Sequence, residues 1–123
     1  MLHTMVITCA GIGALIPTYI AALFALDPDR ALAQATHRLE KLPQVMVNRY
    51  ATFALFALAA ALSGDMTVIA VVFAILAVPG LGDTLIYARA GHPFAKHLAA
   101  GLAALFVSLL ALLAGQQSLS GVL

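Results

Sequence analysis

Four side chains set into otherwise apolar sequence could do chemistry: Arg49, Asp83, Tyr87 and His97. A carboxylate inside a long apolar run is expensive to keep and is by default a candidate functional group. An imidazole can take and return a proton near neutral pH. A carboxylate beside it would orient it or balance its charge. A guanidinium would fix an anionic or carbonyl group, with a phenol as a further donor. Asp83 and His97 are therefore the candidate catalytic pair, and Arg49, Asp83, Tyr87 and His97 the candidate ligand-binding set. The matching ligand is apolar with one polar end, such as an isoprenoid, a sterol-like molecule or a quinone. The matching chemistry is proton transfer, isomerisation or cyclisation. A structural reading stands beside this one. Arg49 and Asp83 would form an ion pair that locks two helices, since a lone charge there is costly. Arg49 alone would snorkel to headgroups, and His97 would cap its helix or face the headgroups.

These residues can meet only if long elements carry them to one place. The chain has 123 residues, 63% hydrophobic and 9% charged, with a mean hydropathy of +1.05. Soluble domains carry about 25% charged residues, and a soluble chain of this size could not hide so much apolar surface. One domain is expected, all-α, an integral membrane four-helix bundle. Its spans run over about 5–26, 46–63, 66–88 and 94–115, each near the roughly 20 apolar residues a crossing needs. The runs lack the alternation of barrel strands, which leaves helices as the way to satisfy the backbone in lipid. The first span is expected to be retained, since no Lys or Arg precedes it and it is too long for a cleaved signal.

All six basic residues, Arg30, Arg38, Lys41, Arg49, Arg89 and Lys96, fall at one side of this arrangement. The positive-inside rule places that side in the cytoplasm and both termini outside. On this topology Arg49 opens the second span, His97 opens the fourth, and Asp83 lies on the order of 7 Å inside the end of the third. The three come to one depth, with Tyr87 a helical turn beyond Asp83 on the same face. Gly80 and Gly82 leave room there for a ligand or another backbone. His37 and His92, in the same-side loops, read as interfacial residues within reach of the cluster.

Small residues suit close helix packing: His97, Gly101, Ala104 and Ser108 share one face of the fourth span, and Ala54, Ala57 and Ala61 one face of the second. Pro17 and Pro79 lie inside spans and should kink them. The segment Ala31 to Leu42 is expected to form a short connecting helix with a stripe of Ala31, Ala35, Leu39 and Leu42. Other functions are disfavoured. A net charge of +1 offers no field for nucleic acid. Cys9 is the one cysteine and reads as a buried thiol. The four histidines show no metal spacing, so no metal site is expected, and no cofactor is indicated. No nucleotide-binding loop or inverted repeat is evident.

Asp27-Pro28 closing the first span, Asn48-Arg49 opening the second, Pro79-Gly80-Leu81-Gly82-Asp83 in the third, Gly91 in the turn and His97 opening the fourth resemble a family. It is the group of small four-helix, DoxX-like membrane proteins found mostly in bacteria. The likeness covers residues 42–115 best and residues 1–26 least. It implies a four-helix bundle of a bacterial inner membrane and no particular activity. Two functional expectations follow from the whole reading. The first is an accessory or structural subunit, or assembly factor, of a larger membrane complex, docking other subunits or its own copies through small-residue faces. The second is a membrane-embedded binding protein or acid–base enzyme for the apolar ligand described above.

Overall fold

A computed structural model describes residues 2–35 and 38–120, with only the backbone path for residues 2, 3, 10, 11, 14, 16 and 117–120. His37 lies outside the described residues, as does the side chain of His3. The described chain is helical throughout, as expected for an all-α protein. Three of its helical segments are long and apolar enough to cross a membrane: Leu39–Ser63, Met66–Arg89 and Ala95–Gln116. The chain divides into two compact units, Met1–Val47 and Asn48–Leu123.

In the first unit, α1 (Leu2–Leu26) runs for 25 residues with Pro17 inside it. Asp27 then caps α2 (Pro28–Gln34), its carboxylate accepting from the Arg30 amide at 3.1 Å. Pro28 fits the first helical position, where its missing N–H is not needed. α2 turns back along α1 and buries Ala31 completely. The Tyr19 hydroxyl donates to the Gln34 side-chain oxygen at 3.0 Å and ties the two helices. A helix of 7 residues reaches no further along α1 than this. Cys9 is therefore exposed rather than buried as the sequence suggested.

The expected helix through Ala31 to Leu42 is also interrupted. α2 stops at Gln34, and a 3-10 turn (Leu39–Lys41) leads into α3 (Leu42–Ser63). Pro43 accounts for the 3-10 turn, because its ring would clash with the carbonyl of Leu39 in a continuous α-helix. In the first turn of α3 that ring is harmless. α3 consequently starts before the expected residue 46.

In the second unit, α3 passes to α4 (Met66–Arg89) through Gly64 and Asp65. Gly64 has φ +65, a left-handed conformation that closes a helix at little cost for glycine. Asp65 caps α4, its carboxylate accepting from the amides of Thr67 at 2.7 Å and Val68 at 3.2 Å. α4 ends at Arg89, Gly91 (φ +72) makes the next turn, and α5 (Ala95–Ser120) returns.

α4 and α5 pack closely in antiparallel register, and small residues make this possible. A Cβ added at Gly80 would lie 2.7 Å from the Gly101 nitrogen, and one at Gly101 would lie 2.9 Å from the Leu81 nitrogen. Further along, the buried Ser108 hydroxyl donates to the Ala70 carbonyl at 2.8 Å. Ala70, Ala77 and Ala111 are buried with it, while Leu62, Ile75, Val78 and Phe106 point outward. The stripe read on the fourth span is thus the seam of this pair.

Candidate functional site

The seam fixes what lies beside it. Where Gly80 and Gly101 let the backbones touch, the next turn of α4 and the first turn of α5 are brought together. Asp83 and His97 occupy those turns. The Asp83 carboxylate oxygen Oδ2 lies 3.7 Å from His97 Nδ1, with both side chains 30% exposed. That distance is too long for a hydrogen bond and close enough for an ion pair whenever the imidazole is protonated. The Tyr87 ring stacks on the imidazole, with centroids 4.8 Å apart and planes 18° apart. His92 then meets Tyr87 at 6.1 Å, the planes inclined at 63°. His97 is thus held on one ring face by Tyr87 and at one edge by Asp83.

Arg49 approaches from α3, about two turns into that helix. Its guanidinium carbon sits 5.5 Å from the centroid of the Phe53 ring, a cation–π placement that the spacing of one helical turn makes natural. Tyr50 meets Phe53 edge-on at 6.1 Å. The expected Arg49–Asp83 ion pair does not form. Asp83 is matched to His97, and Arg49 to an aromatic ring on its own helix. The backbone of α3 does not approach α4 as α5 does, so a cavity separates the two charges.

That cavity has a volume of about 100 Å³ and is lined by Arg49, Tyr50 and Phe53 from α3, Leu76, Pro79, Gly80 and Asp83 from α4, and His97 and Ala100 from α5. Arg49, Asp83 and His97, remote in sequence, therefore face one space, at one depth as the topology requires. Tyr87 is not on its wall and touches the site only through its contact with the His97 ring. Gly80 is used by the α5 backbone, whereas the space beside Gly82 is open. Two metal-type donors meet here, Asp83 and His97. Among the described residues no group of three His, Cys, Asp or Glu gathers as it would around a metal ion.

A second cavity of about 140 Å³ follows along the same two helices, lined by Phe56, Val72, Ile75 and Leu76. Leu76 belongs to both walls. The sequence reading missed Phe53 and this apolar continuation. Phe53 was readable as the residue one turn from Arg49. The continuation carried no signal in a background of apolar residues. No family model, curated protein or solved structure matches this chain.

Proposed function

We propose that this chain is an integral membrane protein that holds a single amphiphilic small molecule between α3 and α4. The observation that carries the reading is the shared wall at Leu76. Leu76 lines both a chamber with Arg49, Asp83 and His97 on its wall and, next to it, a wholly apolar one. A ligand with one polar end and an apolar body has the same order of chemistry along its length. Supporting the membrane setting, the second unit keeps alanine, glycine and serine inside and large aliphatic side chains outside. This suits helices solvated by lipid, where close packing and not apolar burial holds them together. In this reading α1, which has no charged residue, makes a fourth crossing, and the end bearing Arg49, Arg89 and Lys96 faces the cytoplasm.

Native mass spectrometry of the gently extracted protein tests it. One amphiphile per chain is expected, lost in Val72→Trp, which fills the apolar chamber. A chain that carries no ligand but holds another protein at fixed stoichiometry would overturn the reading. That outcome belongs to the accessory-subunit reading, which one observation favours. Ala54 and Ala61, of the small-residue stripe on α3, stay exposed, so a partner helix could dock there. The other stripe is already occupied within the chain by α4.

A further inference from the structure

Resting on that reading, we infer that the amphiphile is a single-chain carboxylic acid whose carboxylate is bound by Arg49. The ionisable side chains on the wall of the polar chamber are Arg49, Tyr50, Asp83 and His97. Asp83 lies 3.7 Å from His97, its counter-group whenever the imidazole is protonated. Arg49 has none: among the described residues no carboxylate pairs with it, and its neighbour is the Phe53 ring at 5.5 Å. The chamber therefore holds a guanidinium with no carboxylate in contact with it among the described residues. Arg49 is exposed near the basic end of its helix, where the head of an amphiphile can reach the guanidinium. The Phe53 contact at 5.5 Å is a cation–π placement and uses none of the guanidinium's N–H donors in a hydrogen bond, so their edge is left for a ligand. That edge matches a carboxylate through two parallel hydrogen bonds.

The dimensions decide between a one-chain acid and a bilayer phospholipid. The polar chamber is about 100 Å³ and the apolar one about 140 Å³. The apolar chamber is a single slot between two helices, bounded by Phe56, Val72, Ile75 and Leu76. One acyl or prenyl chain can enter it, and the second chain of a phospholipid would remain outside.

The experiment compares oleate with methyl oleate, the same chain with its charge removed, by titration of the full-length protein in a neutral detergent under native mass spectrometry. Oleate is expected to bind one per chain, at least ten-fold more tightly than the ester. Arg49→Gln should bring the two within about two-fold by weakening oleate alone, and Arg49→Lys should keep part of the preference. Retained ester binding in Arg49→Gln shows that the variant is folded. Equal binding of acid and ester to the unaltered protein overturns the inference and leaves the amphiphile reading intact. Displacement of oleate by equimolar phosphatidylglycerol overturns it in favour of a two-chain lipid. Failure of both oleate and its ester to bind removes the amphiphile reading itself.

Discussion

The orientation of His97 depends on two neighbours of different kinds. Asp83 can hold one edge of the ring by charge, but at 3.7 Å it does so without a hydrogen bond. Tyr87 holds the face, its ring 4.8 Å away and nearly parallel. Aromatic pairs of this kind contribute about 0.5–1.5 kcal/mol beyond area burial. Tyr87→Phe keeps the ring and should leave stability within about 0.5 kcal/mol, as substitutions that remove no packing do. Tyr87→Leu should destabilise by about 1 kcal/mol. Denaturant titration of the purified protein in mild detergent checks both. Equal losses in the two variants would mean that the hydroxyl, not the stack, holds His97. From the sequence, the cluster was legible because ionisable side chains stand out in an apolar run. The pairing within it was not. Whether Asp83 meets Arg49 or His97 depends on which backbone comes closer, and that is decided by glycines a turn away.

Two glycines of α4 make that dependence measurable, because the same substitution should act with opposite sign at each. At Gly80 a methyl group would lie 2.7 Å from the Gly101 nitrogen and 2.8 Å from its Cα. Backbone atoms cannot rotate away, so α4 and α5 must part. Gly80→Ala should cost about 1–3 kcal/mol, as overpacking does. At Gly82 nothing lies within 4 Å of the added carbon, and alanine is the better helix former by about 1 kcal/mol. Gly82→Ala should be neutral or stabilising. Unfolding midpoints of the two variants give the comparison, and similar losses at both would contradict the seam at Gly80. Asp65→Ala removes the acceptor for two amides at the start of α4. It should lower stability by about 1 kcal/mol, read in the same assay. The boundaries of α4 and the start of α5 were legible from Asp65, Gly91 and the apolar runs between them, whereas α5 runs on to Ser120, past the expected residue 115. The start of α3 was not, since Pro43 reads equally as a loop residue and as a first-turn residue.

Across the second unit, the antiparallel order of α3, α4 and α5 puts Arg49, Arg89 and Lys96 at one end and the Ser63–Asp65 turn at the other. If α4 crosses a bilayer, the two turns that bound it must lie on opposite sides, with the basic one in the cytoplasm. Cys9 is the only cysteine of the chain, so Cys9→Ser gives a background free of thiols. A cysteine at Ser63 or at His92 then reports one turn each. A membrane-impermeant maleimide applied to intact cells should label Ser63→Cys and leave His92→Cys untouched until the cells are permeabilised. The reverse pattern would keep the crossing and invert its orientation, which would place the Arg49 chamber at the outer face. Labelling of both from outside would show that α4 does not cross at all.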